Sequence, residues 1–189
     1  MIAAQKANAR TAGFVRRKAA HDARGDCVNR ATDHLLSYLV DKGDGLVISG
    51  YMPIRTEIDA VPVMEALHGL GHRICVPVIV GPDLPLSFRE WTPICEMVRG
   101  PFGAKVPAGG DWLAPEVLIV PLVSFDMQGY RLGYGGGYYD RSLELLRNKK
   151  PTLAVGYAYS EQAGAVPVEI TDQRLNAMVT ERGVSEFIV

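Results

Sequence analysis

The chain has 189 residues, 48% hydrophobic and 22% charged, with a formal net charge of −1 at neutral pH. These are ordinary globular values, enough for one domain with a buried core, and the near-zero charge excludes the basic excess of a general nucleic-acid binder. No apolar run approaches the roughly 20 residues of a membrane-spanning helix, and Cys27, Cys75 and Cys95 are too scattered for a disulfide framework or a zinc site, so they read as small buried hydrophobes in a reducing compartment.

The first predicted element is a helix over Ala3–Arg24, rich in alanine, lysine and arginine, with Gly13 as its weak point. Up to His21 it carries Lys6, Arg10, Arg16, Arg17 and Lys18 and no acid. Such a run reads as a solvated basic face or as a transit peptide; the missing serines and the direct passage into the next helix favour the first. A third reading uses spacing: Lys6 and Arg10 are i and i+4, so they project together and can grip a polyphosphate. A second helix, Asp26–Asp41, has Val28, Ala31, Leu35 and Leu39 at helical period and ends at Gly43 and Gly45. Its His34 reads as a surface or core-edge residue, because no second metal-binding group lies at helical spacing.

Leu46–Ser49 reads as a short strand that leaves through Met52 into a loop bearing Glu57. A helix over Asp59–Leu70 follows, with Pro62 in its first turn and a stop at Gly71. Read locally, Glu57 is an acid favouring that helix's dipole. Ile74–Val78 completes a β-α-β unit. Gly81–Asp111 is rich in proline and glycine, with a small antiparallel piece around Leu86–Arg89. Phe88, Trp91 and Phe102 there either wall a pocket or form a satellite core. Nothing in the pattern accounts for Trp112.

Val117–Val120 is apolar and β-branched, as a buried parallel strand requires. After it, Asp126 and Gly129 bracket a tight turn. Gly133, Gly135, Gly136 and Gly137 then precede Tyr138, Tyr139, Asp140, Arg141 and the helical stretch SLELLRN. Strand, glycine-dense loop and helix start make an anion-binding device, since glycines let backbone N–H groups approach an oxyanion and the helix N-terminus adds free donors. The alternative is a turn that packs a helix closely on the sheet. Tyr138-Tyr139 stand where a Walker A loop needs Lys-Ser/Thr, and Tyr138 stands where a dinucleotide fingerprint needs its last glycine. The guanidinium groups of Arg131 and Arg141 suit phosphate, and a carboxylate at Asp140 suits Mg²⁺ held jointly with a nucleotide. Leu153–Gly156 is a further strand, Tyr157–Pro167 a loop containing Gln162, and Ala177–Thr180 and Phe187–Val189 are expected as closing strands. Asp172 alone reads as a turn residue or helix cap.

The stretch FDMQGYRLGYGGGYYDR, Phe125–Arg141, resembles the signature of the 5-formyltetrahydrofolate cyclo-ligase (methenyltetrahydrofolate synthetase) family. The resemblance runs nearly the full length, in order: Lys6 and Arg10 match a Lys-x-x-x-Arg pair, GYMPIRTEID matches a Tyr-x-Pro-x-x-x-Glu segment, then come the glycine motif and a late aspartate, Asp172. It thins at Val106, where the family commonly has a glutamate before the proline.

The resemblance implies an α/β fold, a single-domain three-layer sandwich over residues 1–189. Its central sheet would be mostly parallel, as in the ribose-phosphate isomerase and CoA-transferase group, and the basic helix would form part of an ATP site. It implies ATP- and Mg²⁺-dependent closure of 5-formyltetrahydrofolate to 5,10-methenyltetrahydrofolate, with ADP and phosphate released. ATP would be held by Lys6, Arg10, Arg131, Gly133 and Gly135–Gly137, together with Tyr138, Tyr139, Asp140 and Arg141. Arg141 and Tyr139 would be catalytic, Met52, Glu57 and Tyr138 would contact the folate, and Asp140 and Asp172 would hold Mg²⁺. Arg16 and Arg17 inherit no role. The expected partners are the small molecules ATP and reduced folate, with no nucleic acid or membrane, for a cytoplasmic monomer. The competing expectations are a paralogue with another substrate and a non-catalytic 5-formyltetrahydrofolate-binding module.

Overall fold

The apolar runs assemble into one eight-stranded sheet, in a computed structural model that describes residues 1–189 apart from the side chain of Phe102. In chain order the elements are α1 (Ile2–Asp22), α2 (Cys27–Leu39), β1 (Val47–Ser49), α3 (Val61–Gly69), β2 (Arg73–Val78) and β3 (Ser87–Trp91). There follow β4 (Met97–Arg99), β5 (Lys105–Pro107), β6 (Trp112–Leu113), β7 (Val117–Val120), β8 (Ser124–Phe125) and β9 (Arg131–Leu132). The chain ends with α4 (Tyr138–Arg147), β10 (Leu153–Tyr157), β11 (Ala177–Thr180) and β12 (Gly183–Glu186).

The strand order is β12-β11-β10-β7-β1-β2-β3-β6. From β11 to β2 the strands are parallel; β12 pairs antiparallel with β11 on one edge, and on the other β3 pairs antiparallel with β2 and β6 with β3, so β6 runs with the parallel block. Strand alternation sorts the core into two faces. Val117, Ile119, Val155, Tyr157, Ala177 and Val179 pack with Leu35 and Leu39 of α2 and Met64 and Leu67 of α3. Leu118, Val120, Ala154 and Met178 pack with Leu143 and Leu146 of α4. β7 is buried at every residue, which is why its sequence lacks polar alternation.

This order contains a topological switch. β1 continues to β2 on one side, whereas β7 continues to β10 and β11 on the other. The loops leaving β1 and β7 therefore diverge at their carboxyl ends, the place where open α/β sheets hold ligands. Both the Glu57 loop and the glycine loop leave from there.

Several local expectations need correction. The closing strand is Gly183–Glu186, not Phe187–Val189; β12 is an exposed edge, so it needs no apolar run, and the ring of Phe187 instead packs beside Gly129. Phe88 and Trp91 do not wall a pocket. They lie three residues apart on β3, so they point to opposite faces and enter the two different cores. The side chain of Phe102, the third member of that group, lies outside the described residues. Cys75 is buried, but Cys27 and Cys95 are half-buried. Trp112 sits on edge strand β6 opposite Arg89, whose guanidinium covers its ring at 4.6 Å.

Candidate active site

α1 supplies the site with its cations, although it has little apolar surface of its own. Its buried residues are Lys6, Gly13, Arg17 and Ala20, at the three- and four-residue spacing of a single face. Gly13 is the contact point. A Cβ there would lie 2.8 Å from Val123 Cγ1 and 3.1 Å from the Val123 carbonyl oxygen. Glycine thus lets α1 approach the segment after β7, and Arg16 donates to Ser124 Oγ beside it at 3.1 Å. The loop after β10 is tied to the same segment by buried Gln162, whose Nε2 donates to the carbonyls of Leu122 and Val123.

The glycine loop lies under α1. Arg10 Nε donates to the Gly133 carbonyl at 3.0 Å, and its guanidinium covers Gly135. Gly135 (φ 104°) and Gly137 (φ 67°) have left-handed backbone that a side chain would strain. Gly137 is the N-cap of α4, and no side chain caps that terminus. The first helical bond is Arg141 N–H to the Gly137 carbonyl, so the N–H groups of Tyr138, Tyr139 and Asp140 have no intrahelical acceptor. Arg141 donates to the Gly136 carbonyl at 2.7 Å and lies over the Tyr138 ring at 5.1 Å.

Two ion clusters border this loop. Arg131, almost fully buried, donates to Asp140 Oδ1 at 3.0 Å and to the Gln173 carbonyl at 2.6 Å. Gln173 N–H also donates to Asp140 Oδ1, at 2.9 Å, so among the described residues both hydrogen bonds to Asp140 fall on one oxygen and leave Oδ2 free. The neighbouring Asp172 accepts from Lys6 Nζ at 2.7 and 2.9 Å, and Glu169 accepts from it at 2.8 Å. Burial opposes the charge on Lys6, but Asp172 and Glu169 outweigh it, holding its pKa above the ordinary value. Gln173 thus links Asp140 to the segment that carries Asp172, and each aspartate is paired to a cation. Among the described residues no three His, Cys, Asp or Glu side chains converge as a closed metal cage.

The third part of the site surrounds Glu57, which is buried. Its Oε2 accepts from the Ile54 N–H at 2.9 Å, and its Oε1 stands 3.7 Å from Arg17 NH1. Burial pushes its carboxyl pKa up, against the opposing pull of the Ile54 N–H and the Arg17 charge. Tyr139, on the first turn of α4, has a hydroxyl that is buried and, among the described residues, without a hydrogen-bond partner. Burial, and then the Glu57 charge, hold that phenol far above its ordinary pKa, so it is a donor in search of an acceptor. Met52 is half-buried against the core on the same β1 loop.

The residue that sequence reasoning passed over is Arg17. Lys6 and Arg10 were singled out by their four-residue spacing, and Gly13 and Arg17 continue that same stripe. The contacts of Arg17 lie 39 and 117 residues away in sequence, at Thr56 and Tyr134, and no local pattern encodes them. Glu169, the second carboxylate on Lys6, was missed for the same reason.

Comparison with known proteins gives one answer. Residues 4–181 match the model of the 5-formyltetrahydrofolate cyclo-ligase family. A 5-formyltetrahydrofolate cyclo-ligase of Escherichia coli is 36% identical over 147 residues, covering 74% of this chain and 80% of that protein. One from Mycolicibacterium smegmatis is 30% identical over 154 residues, covering 76% and 78%. Among solved structures, the 5,10-methenyltetrahydrofolate synthetase of Aquifex aeolicus superposes with a TM-score of 0.72 at 27% identity, covering 97% of this chain and 93% of that one.

Proposed function

This chain belongs to the 5-formyltetrahydrofolate cyclo-ligase family, and we propose that it closes 5-formyltetrahydrofolate to 5,10-methenyltetrahydrofolate at the expense of ATP. The observation that carries the proposal is the meeting, at the β1/β7 switch, of a glycine loop with free helix N–H groups, two cation–carboxylate clusters and a buried carboxylate. A nucleotide and a folate need these different surroundings side by side.

A formamide oxygen leaves poorly as hydroxide, so it needs activation. The formyl oxygen attacks the γ-phosphorus of ATP, the bond to the β-phosphate oxygen breaks, and ADP departs. The neighbouring folate amine then forms the new C–N bond at the activated carbon. Loss of its proton and of the activated oxygen as inorganic phosphate leaves the methenyl product. No side-chain nucleophile is required. The protein aligns the reactants and neutralises charge.

Roles follow from position. The N–H groups of Gly135–Gly137 and of the α4 terminus cradle phosphate, with Arg10 and Arg141 beside them and Tyr138 lining the loop. Lys6 and Arg131 are held next to that cradle by Asp172 and Asp140. Cation and polyphosphate entering together would exchange partners with these pairs without leaving a bare charge. Mg²⁺ fits the oxygen-only donors Asp140 and Asp172, and the free Oδ2 of Asp140 supports this assignment. When bound, Mg²⁺ supplies charge neutralisation and orientation of the phosphates. The Tyr139 hydroxyl donates to the folate side of the reaction, and Arg141 to the phosphoryl side. Three free thiols support a cytoplasmic enzyme, and the near-zero net charge a small-molecule one; no described helix is long and apolar enough to cross a membrane.

Glu57 and Met52 contact the folate, because an ionised carboxylate accepts from the N–H donors of a pteridine. Glu57→Gln is expected to raise KM for 5-formyltetrahydrofolate about 10- to 100-fold, with KM for ATP nearly unchanged. Steady-state kinetics with each substrate varied in turn checks the split; equal rises in both constants would remove Glu57 from the folate site. The activation chemistry is tested with a heavy-oxygen label in the formyl group. The label is expected in the released phosphate, and its appearance in water instead would overturn the phosphoryl step.

A further inference from the structure

We infer that Arg17 is a positioning residue for the folate: it keeps Glu57 ionised and leaves one carboxylate oxygen, Oε1, free to accept from the substrate. The inference rests on Glu57 as the folate contact proposed above and adds to it the group that makes this contact work.

Arg17 is only 1% exposed, among the most deeply buried large side chains of the protein. A fully buried guanidinium on a mainly polar helix is costly unless it is held on several sides. Here it is. Nε donates to Thr56 Oγ1 at 3.1 Å, and NH2 donates to the Tyr134 hydroxyl at 2.7 Å. The rings of Phe14 and Tyr134 cover its carbon at 5.2 and 5.3 Å. Thr56 precedes Glu57 in its loop, and Tyr134 belongs to the glycine loop. Arg17 therefore fixes the carboxylate's own segment while its third nitrogen, NH1, faces Glu57 and has no hydrogen-bond partner.

The separation of 3.7 Å between NH1 and Oε1 decides the role. It is too long for a hydrogen bond, but at low local dielectric it is a strong charge–charge contact. Glu57 thus gains charge stabilisation without spending an acceptor site. Oε2 accepts from Ile54 N–H, and Oε1 keeps its acceptor sites for a ligand N–H. A carboxylate tied bidentately to an arginine would have fewer acceptor sites left to offer a ligand.

The other groups facing Glu57 do not replace this effect. Arg55, from its own loop, adds favourable charge after Ile54, Arg17 and Tyr134, but its guanidinium lies over the outer side of the Tyr134 ring at 5.7 Å. Tyr51 from the β1 exit and Tyr139 from α4 are neutral phenols pushed up by burial and by the Glu57 charge; the Tyr134 hydroxyl, pushed up in the same way, also helps to hold the Glu57 charge, but it is itself held by Arg17. Without Arg17, the desolvated carboxyl holds its proton to higher pH. Protonated, it is a poorer acceptor.

The test uses Arg17→Met in the full-length protein, with 5-formyltetrahydrofolate and ATP varied separately across pH. At neutral pH the variant is expected to raise KM for the folate about tenfold or more, with KM for ATP changed less than about twofold. Because the carboxyl must now lose its proton to bind, folate KM is expected to fall as pH rises in the variant and to stay flat over the same range in the parent. In a Glu57→Gln background, Arg17→Met is expected to add nothing further and to lose the pH dependence. A pH profile parallel to the parent's, or full additivity with Glu57→Gln, would overturn the inference. Should Arg17→Met not fold, Arg17→Lys keeps the charge but not the fork. It is expected to keep the flat profile, and a sloped one would contradict the account. Failure of the parent to turn over 5-formyltetrahydrofolate would instead sink the functional reading itself.

Discussion

Asp140→Asn is expected to lower kcat by about two to three orders of magnitude, the usual cost of removing one charge-stabilising group from a transferring centre, in a protein that stays folded. Asn keeps an oxygen where Oδ1 now accepts from Arg131 and Gln173 N–H, so the local scaffold survives while the negative charge offered at Oδ2 is lost. Asp140→Ala is a poorer probe, because it strips buried Arg131 of its carboxylate partner, and an unpaired buried ion destabilises on its own account. Turnover and thermal midpoint should be measured on the same sample. Near-normal kcat with an unchanged midpoint would remove Asp140 from the metal and phosphate chemistry.

Gly13→Leu is expected to impair both substrates at once. The Cβ alone would come within 2.8 Å of Val123 Cγ1 and 3.1 Å of a backbone oxygen, and a full leucine cannot be accommodated without moving α1. Leucine's better helix propensity returns less than the about 0.8–1.0 kcal/mol that separates glycine from alanine, while overpacking costs about 1–3 kcal/mol and sometimes more, so the clash wins. Since Lys6, Arg10 and Arg17 all ride on α1, KM for ATP and for folate should rise together, unlike in the Glu57 and Arg17 variants. Denaturant titration and two-substrate kinetics check this; a variant with a rise in one KM alone would show that α1 does not carry both sites.

The sheet was the most legible part of the molecule. Continuous β-branched runs such as Val117–Val120 report burial on two faces, and the glycine motif reports a backbone conformation that few other residues tolerate. The helix bearing Lys6 and Arg10 was also legible, to within two residues at each end. What stayed hidden was who faces whom across long sequence separations. Asp172 and Asp140 were expected as one metal pair; each is engaged by its own cation, Lys6 and Arg131, and Gln173, the residue after Asp172, donates to Asp140. The partners of Arg131, expected near phosphate, are Asp140 and the Gln173 carbonyl, 9 and 42 residues away in sequence. The sequence leaves open whether Phe88 and Trp91 wall a pocket or form a satellite core, because strand parity in a proline-rich stretch is hard to place; they enter the two cores. β12 was missed because an exposed edge strand needs no apolar sequence. In each case the element could be read locally, and the partner could not.

The central claim is that the three parts at the β1/β7 switch act together on one reaction. Mixing the purified protein with 5-formyltetrahydrofolate, ATP and Mg²⁺, and following the near-ultraviolet absorbance of the methenyl product, tests it most directly. The account predicts a rise that requires all three additions and matches ADP formed one for one. ATP binding without any rise would contradict it and move the glycine loop to the service of another substrate.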